Sequence, residues 1–409
     1  MLFWREFKKT VAGIPYILFV AVIVVALNSQ GVLDFQNEVV TEPVQDASQN
    51  YGTKTAEIPE VIMPAALEAL YAEFLENKYQ TYPIGFVKYV KLDENNQRKI
   101  AQILSEISGV NADELYAFSE NTTIKENTVI KENTGENDCL EPDLSVRKDI
   151  SYAEFKSLMQ AADDILGGGS NYASDALIHY GRVPVTYEEA VARYELVKTL
   201  DQFTGGYARL FSDYAVAMAL SILPVFPAVI MGMRDRRAKM SELVYIRKTS
   251  GAKLIAVRYL AVLTAVMLPV FILSYLSNCS MWHMYPGMKL DYLAPLKYDL
   301  GWLMPSAMMV VALSMCLTEL TNTPIAVAVC GLWWFIDTNL GMKSVTASYS
   351  LLRLAPRHNS GALSYFRAQD FADNFTRLVA NRLLFASVSI LFVLVTIIIY
   401  EAKRKGKLA

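Results

Sequence analysis

At 409 residues, 53% hydrophobic and with a mean hydropathy of +0.24, the chain is too apolar for an ordinary soluble enzyme and too polar to lie wholly in a membrane. The formal net charge of -3 hides an asymmetry: about 30 acids face about 15 bases between Ser29 and Leu210, so nucleic acid is excluded as a partner of that part.

Runs of roughly 17 to 25 mostly apolar residues mark membrane-spanning helices. Six runs qualify: Val11 to Leu27, Ala215 to Met233, Leu254 to Leu276, Leu300 to Leu320, Pro324 to Leu340 and Leu383 to Tyr400. Before the first, Phe3, Trp4 and Phe7 alternate with Arg5, Lys8 and Lys9, the composition of a helix lying in the membrane interface. The first run reads as a retained anchor rather than a cleaved signal, because Asn28, Ser29 and Gln30 make a poor cleavage site.

From Ser29 to Leu210 a soluble domain of ordinary size is expected. Its start, to Pro64, reads as extended. Pro64 should open a helix with Leu67, Leu70, Tyr71, Phe74 and Leu75 on one face. Ile84 to Leu92 alternates like a strand. A helix carrying Ile100, Ile103, Leu104 and Ile107 should end at Gly109. Asn111 with Glu114, Ser151 with Glu154, and Thr186 with Glu189 have capping-box spacing. The tandem hexapeptide IKENTV–IKENTG from Ile124 reads as a duplicated surface loop, and Gly167 to Gly169 as a flexible hinge. The helix after Thr186 should act as a stalk between this domain and the membrane.

Between the second and third runs lies MRDRRAKMSELVYIRKTSGAK, in which Arg234, Arg236, Arg237, Lys239, Arg247, Lys248 and Lys253 outnumber Asp235 and Glu242. Short loops this basic stay cytoplasmic. Met233, Met240, Leu243, Val244 and Arg247 follow helical spacing, which predicts an amphipathic helix under the membrane, with Gly251 as its stop. The basic end from Lys403 to Lys407 is also placed inside, so both termini are expected in the cytoplasm and residues 29–210 outside it, in a bacterial cell membrane. The loop Gly341 to Arg382, with five arginines, runs against this topology; Phe366 to Val379 within it reads as an interfacial or re-entrant helix.

No phosphate-binding GxxxxGK[ST] sequence is present, and His179, His283 and His358 do not cluster with other metal ligands. No catalytic, cofactor or metal site is therefore expected. His179 reads as a surface or core residue, and Asp163 and Asp164 as a poor acid/base pair. Asp337 and Glu319, ionisable residues at span ends, are the candidates for a transport path. Cys139 and Cys279 fall on the same side of the membrane, and both a disulfide between them and two separate thiols remain open.

An interfacial first helix, six spans and an amphipathic cytoplasmic helix between spans two and three resemble the permease subunit of type-2 ATP-binding-cassette exporters. The family's loop pattern falls on Asp235 to Ala238, Met240 to Val244, Lys248 to Ser250 and Arg258 to Ala261, with Ala238 in place of its Gly and Lys248 or Thr249 in place of its Pro. The resemblance covers the membrane half only and implies an α-helical polytopic fold of six transmembrane helices; the helix and strand patterns between the first two spans add a mainly helical α+β extracytoplasmic domain, an insertion that only some members of the family carry. The parts of the chain would be 1–28, 29–210 and 211–409, with a coupling loop at 233–253. The resemblance also implies that Arg234, Asp235, Arg236, Arg237, Met240, Glu242, Leu243, Val244 and Arg247 form the coupling helix for a separate ATPase subunit, which would bind the ATP and magnesium. A second permease subunit, identical or not, would complete the path in the lipid bilayer. The alternatives are a non-transporting envelope sensor or mechanotransmission module and, more weakly, an outward-facing membrane enzyme.

Overall fold

The computed structural model describes residues 2–35, 39–46, 50–83, 87–120, 122–125, 128–131, 144–246, 249–339, 349–356 and 368–407. In chain order these begin with α1 (Leu2–Val11), α2 (Ile14–Ser29), β1 (Thr53–Thr55), α3 (Pro59–Glu76), β2 (Tyr79–Thr81), β3 (Lys88–Val90) and α4 (Glu94–Ser108). Next come α5 (Ala112–Glu120), β4 (Thr122–Lys125), β5 (Thr128–Lys131), α6 (Tyr152–Ile165), β6 (Arg182–Pro184) and α7 (Tyr187–Thr199). The chain continues with α8 (Thr204–Ala215), α9 (Val225–Arg237), α10 (Ser241–Tyr245), α11 (Gly251–Trp282) and α12 (Ala294–Tyr298). It ends with α13 (Met304–Thr321), α14 (Ala326–Asn339) and α15 (Ala368–Arg404). The chain divides into two compact units, 1–43 with 191–409, and 44–190, so the boundary falls inside α7.

The smaller unit is helical, with three two-stranded antiparallel pairs: β1 with β6, β2 with β3, and β4 with β5. Its core joins Leu67, Leu70 and Phe74 of α3 to Ile100, Leu104 and Ile107 of α4 and Phe155, Met159 and Ala162 of α6. These are the stripes that helical spacing predicts. Helix α3 starts at Pro59, one turn and more before the expected Pro64, which instead sits exposed in its interior. On that outer face water can reach the carbonyl left without its helical donor. Of the strand expected over Ile84 to Leu92, only Lys88–Val90 is extended and paired; Ile84 to Phe86 lie outside the described residues. The hexapeptide repeat forms the antiparallel pair β4–β5, in which Ile124 faces Val129 in register.

Two caps follow the expected rule. Ser151 Oγ accepts from the Glu154 N–H at 3.2 Å, and Thr186 and Glu189 cap reciprocally, at 3.3 and 3.2 Å. The glycine run is not a hinge. Gly167, Gly168 and Gly169 all have φ between 80° and 88° and end α6, after which buried Ser170 is clamped on Asp163 Oδ1 by its N–H and its hydroxyl, both at 2.7 Å. The carbonyl of Gly169 accepts from the Tyr82 N–H at 2.7 Å, which fastens this corner to β2.

The larger unit is a helical bundle. Thr204–Arg237, Gly251–Trp282, Ala294–Thr321 and Ala368–Arg404 are long and apolar enough to cross a membrane, and the bent pair α1–α2, with 66° between its axes, makes a fifth if taken as one span. Helix α14 covers only fourteen of the residues read as the fifth span, which is short for a crossing. The interfacial helix expected over Phe366 to Val379 is, from Ala368, the first part of α15, which runs unbroken for 37 residues. Only 28% of its apolar stretch is buried inside the fold, against 56–72% for the other three, so α15 leaves apolar surface uncovered. Four to five apolar helices are compatible with membrane insertion.

Two segments of the bundle are π-helical, Val216–Leu220 after α8 and Asp299–Leu303 after α12, and they pack against each other. In a π turn each N–H reaches one residue further back, a widening seen mostly where function requires it.

Candidate functional site

The basic segment between Met231 and Ala261 is organised around a buried carboxylate. Helix α1 is amphipathic, but Glu6 does not belong to its wet face: the residue is 1% exposed. A carboxylate is kept out of water only where cations and donors replace the solvent. Arg234, in the last turn of α9, donates to Glu6 Oε2, and Arg258 Nε of α11 lies 3.7 Å from the same oxygen. Lys9 approaches Oε1 at 3.5 Å. Arg258 also donates to Asp235, so α1, α9 and α11 are pinned by alternating charges.

The amphipathic helix predicted through Met233 to Val244 is split in two. Helix α9 ends in a Schellman turn: the Met240 N–H donates to Asp235 O and the Lys239 N–H to Arg236 O, both at 2.8 Å. Lys239 occupies the left-handed position at φ 55°, where glycine is usual. The short helix α10 follows at a new angle to the apolar pattern. Val244 and Tyr245 pack on the bundle core, whereas Met240, Leu243 and Ile246 are 44%, 52% and 77% exposed. Arg236, Arg237, Lys239 and Glu242 are exposed around them. Arg247 lies outside the described residues.

Gly251 is the first residue of α11 rather than a stop. Ser250 caps that helix, its Oγ accepting from the Lys253 N–H at 3.3 Å. The glycine is required for a close approach: its N–H donates to Glu401 Oε1 at 2.8 Å, and a Cβ there would lie 2.7 Å from the Tyr400 ring. Tyr245 meets Tyr400 edge-on at 5.4 Å, and Arg404 donates to Thr249 O at 3.2 Å, so the end of α15 holds the loop from the far side. Burial raises the phenol pKa of Tyr245. Asp235, Arg236, Arg258, Glu319, Tyr245 and Tyr400 line a small pocket open to solvent.

Of the two acids proposed for a path, Glu319 belongs to this same end: it lines the pocket, and its carbonyl accepts from Lys403, which also donates to Asn322 Oδ1. Asp337 lies elsewhere in the bundle and is not brought near it. Its carboxylate accepts from the N–H groups of Leu354 and Ala355, each at 2.9 Å, and its carbonyl accepts from Arg353. That arrangement fastens the segment 349–356. Nearby, Arg382 donates to Asn381 Oδ1 at 2.7 Å, Ser306 Oγ at 2.7 Å and Trp302 O at 3.0 Å. Sequence reasoning missed Glu6 and Glu401, and it placed Arg258 in the loop pattern without its partners, because these residues come from separate stretches of the chain. The one available signal was an acid on the apolar side of an otherwise basic interfacial helix.

Charged and aromatic contacts at this site join α1, α9, α11 and α15. Among the described residues no group of His, Cys, Asp or Glu is arranged to hold a metal, His179 is exposed, and Cys279 is a thiol. Cys139 lies outside the described residues, as does His358. Comparison with protein-family models, with curated proteins and with solved structures returns no match.

Proposed function

We propose that the chain is the membrane-spanning subunit of an ATP-driven exporter and that a separate ATPase, holding ATP and magnesium, acts on it through α10. The observation that carries this reading is the division of α10 into two faces. Val244 and Tyr245 tie it to the bundle, while Met240, Leu243 and Ile246 offer an apolar patch ringed by Arg237 and Lys239 to a protein partner. A force on α10 has rigid routes inward. The Schellman turn leads to α9, Glu6 to α1, Arg258 to α11, and Tyr400 with Glu401 to α15.

The test is co-purification of the full chain with its ATPase. Met240→Asp or Leu243→Asp places a charge in the patch and should abolish association while membrane insertion is retained. Normal recovery of the ATPase with both variants would sink the reading.

Among the described residues four to five helices are long and apolar enough to span, which favours one second reading, a mechanotransmission or envelope-sensing module, since such permease-related modules usually have four spans. It uses the same ATPase contact but moves no substrate. ATP-dependent substrate movement into vesicles containing chain and ATPase separates the two.

A further inference from the structure

Asp299 is wholly buried, at 0% exposure, as the first residue of the π turn that follows α12. Neither of its carboxylate oxygens has a hydrogen-bond partner among the described residues. The polar side chain beside it is Ser274 of α11, whose hydroxyl is within electrostatic reach of the carboxylate but outside normal hydrogen-bond geometry. One helical turn further along the same face, Asn278 donates its Nδ2 to Ser274 O at 2.9 Å, which leaves its Oδ1 unpaired as well. Both residues are 0% exposed. The local inventory is therefore three acceptor oxygens and a single hydroxyl donor, in a carboxylate environment that an apolar bundle does not tolerate uncompensated.

Among the described residues, the side-chain cations of the elements packed against this turn are engaged with other groups or exposed to solvent. On the helices packed against this turn, Arg209 of α8 is engaged by both oxygens of Asp201, at 2.8 and 2.7 Å. Lys297 of α12 is exposed and bonded to Asp291 at 2.5 Å, and Arg382 of α15 is committed to Asn381 and Ser306. Tyr298 stands beside Arg209; the other charged groups of α8 and of the start of α15 are the acids Asp213, Asp370 and Asp373 and the exposed Arg377, and Arg353 of the segment 349–356 donates to Asp337 O. Arg258 of α11 is sixteen residues from Ser274, about 24 Å along the helix. Glu319 of α13 and Lys403 of α15 lie at that same distant end.

We propose that Asp299, Ser274 and Asn278 form a binding site for one small monovalent cation, a proton or a sodium ion. One negative charge in an apolar interior is matched by one positive charge, and a divalent ion would leave the site charged again. Asp299 is five residues into its span from Ala294, about 7.5 Å along the helix, and within one turn of exposed Leu296 and Lys297. The π turns at 216–220 and 299–303 meet here, so occupancy acts where two spans are least regular. The site does not depend on an ATPase and is present in the chain alone.

The test uses the full chain in bilayer discs of zwitterionic lipid. Its thermal midpoint is followed over about a hundredfold range of sodium, with choline holding the ionic strength, and from about pH 5 to pH 9 in sodium-free buffer. A sodium site raises the midpoint by roughly 5 °C over the sodium series. A proton site gives no sodium response, a comparable rise on acidification, and a carboxylic-acid C=O band in difference infrared spectra. In either case Asp299→Asn abolishes the response, and the infrared band if there is one. Ser274→Ala, a gentler change, weakens the apparent affinity about tenfold. The proposal is overturned if the wild type responds to neither ion, or if both variants keep its response unchanged.

Discussion

Asp201 receives both terminal nitrogens of Arg209, and the two side chains are 6% and 1% exposed. Geometry of this kind is strong while both partners are present and costly when one is removed, because the remaining charge stays in the interior. Asp201→Ala should destabilise the bundle by about 3–5 kcal/mol. Asp201→Ala with Arg209→Met should recover a substantial part of that loss, since the double variant buries no unpaired charge. Thermal unfolding in detergent of the wild type, Asp201→Ala, Arg209→Met and the double variant measures the cycle, and simple additivity would contradict it.

Gly251 has space for a hydrogen and no more against Tyr400 and Glu401. Gly251→Ala should cost about 1–3 kcal/mol by pushing the start of α11 off the end of α15. Hydrogen exchange of the amides from Thr249 to Arg258 should accelerate, and Tyr400→Ala in the same chain should relieve part of the effect.

The three glycines after α6 share a positive φ but not the same surroundings. A Cβ at Gly169 would lie 3.3 Å from the backbone of Tyr82 and Pro83, while at Gly167 nothing lies within 4 Å. Gly167→Ala should cost about 1 kcal/mol and Gly169→Ala about 2 kcal/mol or more. Equal losses in denaturant titrations would show that conformation alone, and not contact, sets the requirement.

Glu73 of α3 gives the smaller unit a dependence on pH. Burial raises the pKa of its carboxyl above the ordinary value, against the hydrogen bond of 2.7 Å that Tyr172 donates. A carboxyl whose folded pKa is raised favours the folded state fully below its unfolded pKa. That contribution is lost as pH rises from near 4.5 through the folded value. Protection of α3 amides, corrected for intrinsic exchange, should therefore fall across that window in the full chain, and the fall should be absent in Glu73→Gln.

Asp337 offers its carboxylate to two backbone N–H groups, so Asp337→Asn removes one acceptor and turns a donor toward a donor. The expected loss is about 1–3 kcal/mol of stability. A fully stable Asn variant that has lost substrate movement would instead place the residue on a transport path.

Local rules carried the sequence reading where structure is local. The stripes of α3, α4 and α6 and the caps at Ser151 and Thr186 were legible because side chains three and four apart must share a face. Gly167 to Gly169 were misread as a hinge because the clamp of Ser170 on Asp163 and the bond to Tyr82 involve residues outside the run. The break after Arg237 escaped periodicity for a different reason: the Schellman turn uses Lys239, which carries none of the usual composition signal. The exposed face of α10 was legible in Met240 and Leu243. Its anchoring was not, since Glu6, Arg258 and Glu401 come from three distant stretches.

The burial of Glu6 also orders the making of the molecule. Its partner Arg234 lies 228 positions later, and Arg258 later still. A chain growing from its N-terminus inserts α1 and α2 while that carboxylate has only its own basic neighbours. The buried environment of Glu6 is complete only once α9 and α11 have been synthesised. Until then Glu6 has only Arg5 and Lys9 for partners, and the buried cluster closes from the middle of the chain back onto its beginning.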